Sequence, residues 1–253
     1  MVRLTRTVLV GTALAWLACA GDAAAGPPYA TDDPEPVEYR HWEFYVASQS
    51  AKAEGTVSLT APHFEVNYGI LPDLQLHAIV PLTLVVPKVG SSQYGYGDTE
   101  FGSKFRFVHE GDYAPQIGVF PLLEIPTGSA SRGLGNGKAQ LYLPLWLQKS
   151  FGPWTSYGGA GYWLHPGAGN ANYLFLGWQV QRRLADPLTL GVELFHTTRQ
   201  VTGGTSETRF NVGAVIDLSD VHHVLLSAGR ALFGPTIFQS YLAYQITVGS
   251  DAP

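Results

Sequence analysis

The chain has 253 residues, of which 45% are hydrophobic and only 14% charged, against roughly 25% charged in ordinary soluble domains. Its net charge of −5 leaves no basic footprint for nucleic acid. An aromatic content of 12% excludes a disordered chain, and 29 glycines with 17 prolines exclude a mainly helical one.

Residues 1–25 read as an export signal. Arg3 and Arg6 precede an uncharged, mostly apolar run from Thr7 to Ala20, and Ala23-Ala24-Ala25 follow. This order of basic, apolar and small residues is that of a secretory signal, and the run is too short to span a membrane as a helix. Cleavage is expected after Ala25. Cys19 is the single cysteine and falls in this segment, so the mature chain offers no disulfide, thiolate metal ligand or catalytic thiol. Lipidation at Cys19 is disfavoured by Trp16 just upstream. Residues 26–37 are rich in Pro and Asp and do not suit a strand. They are expected either to fold inward as a plug or to lie free in the periplasm.

From residue 38 to 253 the hydrophobic period is two. Leu141, Leu143, Leu145 and Leu147 alternate with Gln140, Tyr142, Pro144, Trp146 and Gln148. Leu74, Leu76, Ala78 and Val80 alternate with Gln75, His77 and Ile79, and Phe101, Phe105 and Phe107 oppose Glu100, Lys104 and Arg106. Phe210, Val212 and Ala214 alternate with Arg209, Asn211 and Gly213. Such alternation sets an apolar sheet face against a polar one. Arg230 breaks the rule, falling in phase with Leu226 and Ala228; a bulge or a strand end there would account for it.

Strands are expected near residues 38–50, 56–70, 73–86, 97–109, 113–126, 138–150, 154–165, 172–184, 187–198, 207–218, 222–232 and 237–248. Tight turns at 71–73, 110–112, 152–153, 185–187 and 219–221 alternate with looser connections at 51–55, 87–96, 127–137, 166–171, 199–206 and 233–236. Even strand number, long strands, short turns at one end and longer loops at the other predict an all-β fold. The expected class is an antiparallel up-and-down transmembrane β-barrel of about twelve strands. With both termini periplasmic, the longer loops face outward. Trp42, Trp154 and Tyr241 are candidates for the aromatic girdles of such a barrel, and outer-membrane lipid is its expected surroundings.

Particular residues carry a family resemblance. After the signal come Gly26-Pro27-Pro28-Tyr29-Ala30-Thr31-Asp32-Asp33-Pro34-Glu35-Pro36 and Glu38-Tyr39-Arg40-His41-Trp42-Glu43. Further on stand Gly97-Asp98-Thr99-Glu100-Phe101-Gly102-Ser103-Lys104-Phe105-Arg106-Phe107 and Leu123-Glu124-Ile125-Pro126-Thr127-Gly128. In this order they resemble the outer-membrane proteins of the MetA-pathway phenol-degradation family, commonly described as transporters. The resemblance covers most of the mature chain. It implies an outer-membrane barrel for passive uptake of small organic solutes, hydrophobic or aromatic ones among them. The chain departs from many bacterial barrels in ending Asp251-Ala252-Pro253 without a terminal aromatic.

Strand phase nominates Glu43, Glu65, His77, Glu100, Lys104, Arg106, Glu124, Glu193 and Arg209 as pore-lining, with His63, Asn67, Gln148, Gln179, Asn211 and Gln245 on the same face. Two readings of these charges compete: they set the selectivity of a narrow pore, or they pair with one another and fill the lumen. A closed structural or surface-interaction barrel is the alternative to a channel. A lipid-acting enzyme is the third reading, with His196 beside Thr197 and Thr198 as its only His–hydroxyl cluster, and it lacks a complete catalytic constellation. His222-His223 would point to opposite faces of a strand and share no ion. No catalytic residue, metal or cofactor is expected. The oligomeric state stays open.

Overall fold

The computed structural model describes residues 27–53 and 55–249. The expected signal, Cys19 and the C-terminal Asp251-Ala252-Pro253 lie outside the described residues. In chain order the strands are β1 (His41–Ala53), β2 (Thr56–Leu71), β3 (Leu74–Val86), β4 (Gln93–Tyr96), β5 (Thr99–Val108), β6 (Gln116–Val119) and β7 (Leu122–Ile125). They continue as β8 (Gln140–Phe151), β9 (Trp154–Leu164), β10 (Tyr173–Ala185), β11 (Leu188–Thr197), β12 (Glu207–Asp217), β13 (His222–Phe233) and β14 (Ile237–Gly249).

These segments form twelve barrel strands. β4 and β5 are two halves of one strand, both paired with β3. β6 and β7 likewise make one strand between β5 and β8. Each interruption has a cause in the sequence. Pro121 lacks the N–H a ladder needs, so β6 and β7 part at Phe120-Pro121. Asp98 turns its carboxylate from the β4–β5 break to the backbone N–H groups of Gly128, at 2.9 Å, and Asn136, at 2.6 Å. It thereby anchors the long loop after β7. Every neighbouring pair is antiparallel, and β1 closes on β14 from His41↔Gly249 to Ala53↔Ile237. Closure leaves no edge, and so no unpaired row of backbone groups.

Two expected connections are shorter than the breakers suggest. Gln93–Tyr96 was expected within a loop and instead extends the ladder on β3. The expected 51–55 connection shrinks to a tight turn because Lys52↔Val57 and Ala53↔Thr56 continue the β1–β2 pairing. Gly55 supplies its left-handed residue, φ 89°.

The side chains are distributed inside out relative to a soluble protein. Val46, Phe64, Leu145, Trp178, Val192 and Leu242 are exposed on the outer wall, whereas Glu65, Asn67, Gln75, Gln148, Gln179 and Asn211 are buried within. Polar interior and apolar exterior are the arrangement of a barrel whose outer solvent is hydrocarbon. Trp42 stacks on Tyr68 on the outer wall at the tight-turn end, centroids 4.2 Å apart. Tyr241 corrects the expected girdle. It faces the interior, edge-on to His63, because it shares its phase with Ala243 and Gln245.

The outer wall makes a stability prediction. Val192 lies mid-strand in β11 and is 54% exposed. Val192→Arg is expected to cost about 2–4 kcal/mol in unfolding free energy measured in lipid vesicles, the depth-dependent cost of an arginine at mid-bilayer. An unchanged midpoint would contradict a hydrocarbon-facing wall.

Candidate functional site: a lumen crossed by the N-terminal segment

Residues 27–38 cross the interior from one wall to the other before the chain enters β1. Pro28 O accepts from Ser227 Oγ of β13 at 2.6 Å. The backbone N–H groups of Ala30 and Thr31 each donate to Glu193 of β11 at 2.9 Å. Farther on, Lys104 Nζ of β5 lies 2.9 Å from Asp32 Oδ1 and 3.5 Å from Asp33 Oδ1. Glu35 accepts from Gln116 of β6 at 3.1 Å and Gln148 of β8 at 3.0 Å. Val37 N donates to Gln75 of β3 at 2.9 Å. The segment forms no regular ladder of its own, so barrel side chains satisfy many of the polar groups that would otherwise be buried without partners.

Glycines make the seat. A Cβ at Gly118 would stand 2.9 Å from Pro34 Cβ, one at Gly213 would stand 2.9 Å from Tyr29 Cε1, and Gly177 and Gly191 meet Thr31 and Tyr29 as closely. These residues alternate with lipid-facing ones, and their missing side chains are the space the segment occupies. Within that seat burial raises the Asp33 carboxyl well above the usual carboxylate range, with Lys104 pulling the other way. Burial likewise pushes the Tyr29 phenol up.

The nine nominated residues all face inward, in three groups. One is a network across β1, β2, β3 and β5. Tyr45 donates to Glu43 at 2.7 Å, Asn67 donates to Glu65 at 3.0 Å, and His77 meets Asn67 Oδ1 at 2.7 Å and Glu100 Oε1 at 3.0 Å. A second group holds the N-terminal segment: Lys104, Glu193 and Arg106, whose guanidinium lies 3.5 Å from Glu35 and 3.0 Å from Asp73. The third stands apart. Glu124 accepts from Gln140, and Arg209 pairs with Glu207 and donates to Gln239 at 2.8 Å. A cavity of about 1540 Å³ runs beside the segment, lined by Glu43, Glu65, His77, Glu100, Lys104 and Arg209.

Phase reasoning about charges missed the aromatic wall. Phe120, Tyr142, Trp146, Phe175 and Phe195 form one buried cluster inside the barrel, with Trp163 packed against it. Tyr142 stacks on Trp163 at 4.7 Å and Phe175 on Phe195 at 5.7 Å. The signal was present in the alternation, since Phe195 shares its phase with Glu193 and Phe175 with Gln179. An aromatic residue simply carries no mark of which side it faces.

His196 lies on the outer wall, bonded to Thr208 Oγ1 at 2.9 Å, while Thr197 turns inward to Glu207 at 3.1 Å. The expected His–hydroxyl cluster is therefore split across the wall. His222 and His223 also part, one to Tyr244 at 2.9 Å and the other to Asp217 at 2.8 Å. Among the described residues no group of three or more His, Cys, Asp or Glu is placed to hold a metal ion.

The fold is shared with solved outer-membrane barrels. The structure superposes on the COG4313 outer membrane channel from Pseudomonas putida F1 with a TM-score of 0.67 at 18% identity, covering 85% of this chain and 98% of that one. The KdgM porin, in complex with disordered oligogalacturonate, matches with a TM-score of 0.54 at 9% identity over 80% of this chain and 98% of that one. The translocator domain of the autotransporter NalP from Neisseria meningitidis matches with a TM-score of 0.51 at 11% identity, over 81% and 87%. No family model and no curated protein matches the chain. The barrel fold is thus common to channels and a translocator, and the interior has to distinguish among them.

Proposed function

We propose that the chain is an outer-membrane channel for passive diffusion of small organic solutes, apolar or aromatic ones among them. Both ends of the barrel strands' chain lie at the tight-turn end, which in this reading is periplasmic. The observation that carries the proposal is the two-sided interior. An aromatic cluster built on β8–β11 and Phe120 reaches the cavity through Phe120 and Phe195, and a hydrogen-bonded network of carboxylates, amides and histidines on β1–β5 lines the same cavity. A solute with an apolar ring and a polar substituent meets a complementary surface on each side, whereas a hydrated sugar meets only one. The likeness of the quoted motifs to phenol-degradation outer-membrane proteins points the same way. Residues 27–37 act in this reading as a constriction that narrows the bore without sealing the cavity beside it.

The test is vesicle swelling with reconstituted protein, comparing a hydroxybenzoate with a pentose of similar size. Faster swelling in the hydroxybenzoate, with the preference lost in Phe120→Ala/Phe195→Ala, the two cluster aromatics that line the cavity, is the expected result. Folded protein that neither conducts nor speeds swelling would overturn the channel and leave a closed structural barrel. Equal permeation of the two solutes would overturn the aromatic preference alone.

A further inference from the structure

On the outer wall, near the end opposite the termini, two cations stand where an apolar surface is expected. Lys52 of β1 pairs with Phe238 of β14, and Phe238 pairs with Arg230 of β13. The three side chains share one outward row, with Phe238 53% exposed between the two charges. Their backbones are about 10 Å apart across two strand spacings, so both long side chains can converge on one small anion. Neither Lys52 nor Arg230 has an ion pair or side-chain hydrogen bond with another described residue.

The row is also a pocket. Lys52, Gly55, Arg230, Thr236, Ile237 and Phe238 line a surface cavity of about 400 Å³ whose walls are mainly apolar. Lys88 adds a third cation at its margin, because a Cβ on Gly55 would come within 3.0 Å of Lys88 Cδ. No carboxylate lines this cavity among the described residues; Glu54, in the β1–β2 turn, lies outside them. Arg230 is therefore not a register accident. The register shift in the β12–β13 ladder falls beyond it, between Thr208 and Arg209, and Arg230 keeps the outward phase of Leu226 and Ala228.

We infer that this pocket binds the phosphate headgroup of a phosphorylated glycolipid in the outer leaflet. The inference rests on the membrane orientation proposed above, which places the pocket at the level of outer-leaflet headgroups. Unpartnered cations at a bilayer interface attract anionic headgroups, and guanidinium groups suit phosphate geometrically. The apolar cavity beneath receives the lipid's hydrocarbon, so an amphiphile fits both halves of the site and a free phosphate ion fits only one.

Native mass spectrometry of detergent-purified protein with bisphosphorylated lipid A tests the site. Dephosphorylated lipid A and inorganic phosphate serve as comparison ligands. Bisphosphorylated lipid A is expected to bind, and Lys52→Gln/Arg230→Gln to weaken it about tenfold or more. Arg230→Lys, which keeps the charge, should retain most of the binding. Conductance in bilayers reports separately that the double variant is folded and that the channel reading stands. Unchanged lipid A affinity in a conducting double variant would overturn the site while leaving the channel intact. Equal binding of dephosphorylated lipid, or tight binding of inorganic phosphate alone, would also overturn it.

Discussion

Lys104→Met is expected to destabilise the protein by about 3–5 kcal/mol, the usual cost of removing one partner from a buried ion pair. The lysine ammonium is buried at the centre of the lumen, 2.9 Å from Asp32 and 3.5 Å from Asp33, with Asp33 fully buried. It also lies 5.0 Å from the centre of the Phe120 ring. Losing this cation leaves two adjacent carboxyl groups enclosed with no positive partner. The chain has two ways to respond: Asp33 takes up a proton, or residues 27–38 leave their seat. Urea unfolding in lipid vesicles measures the total cost, and single-channel recording separates the responses, because only the second widens the lumen. Lys104→Met/Asp33→Asn removes a buried charge of each sign and should recover a large part of the loss. If Lys104→Met were neutral in unfolding, the ion pair would hold nothing in place.

Removing residues 27–37 is expected to raise single-channel conductance severalfold. The segment touches β13, β11, β5, β6, β8 and β3 in succession, so it spans the bore instead of lining one side. Deletion frees that cross-section and leaves the closing β1–β14 ladder intact. Gly191→Leu offers an independent route to the same state, since a side chain there would occupy the space of the Tyr29 hydroxyl and of the Gln179 amide beside it. It should shift the recordings part of the way toward the deletion. Identical conductance in the deletion and the full chain would show that solutes already pass freely beside the segment.

The barrel was largely legible in the alternation because hydrocarbon outside and water inside impose a period of two on every strand. The strand boundaries were less so. Gln93–Tyr96 sits among Gly and Ser residues that read as loop, and its partners on β3 are visible only in three dimensions. The site shows a sharper division. Lys104 and Arg106 could be assigned inward by phase, and Asp32, Asp33 and Glu35 could be seen as an acidic cluster. Nothing in either segment stated that one holds the other, since that pairing spans 72 residues of chain. The quoted motifs of the two segments are the two halves of one contact. Tyr241 and the inner aromatic wall failed for the opposite reason: aromatic side chains suit lipid, interface and packed lumen alike, so composition carries no sign of direction.

The seat of the N-terminal segment also sets an order of events. Residues 27–37 precede every barrel strand in the chain, yet Pro28 bonds to Ser227 across 199 positions and Thr31 to Glu193 across 162. Contacts at such separation form only after the intervening chain is in place. The segment therefore completes its seat only once β11 and β13 are in place, and the β1–β14 seam likewise waits for the last strand. The narrowing of the bore and the closing seam are thus both late contacts, made by the first part of the described chain with its last strands.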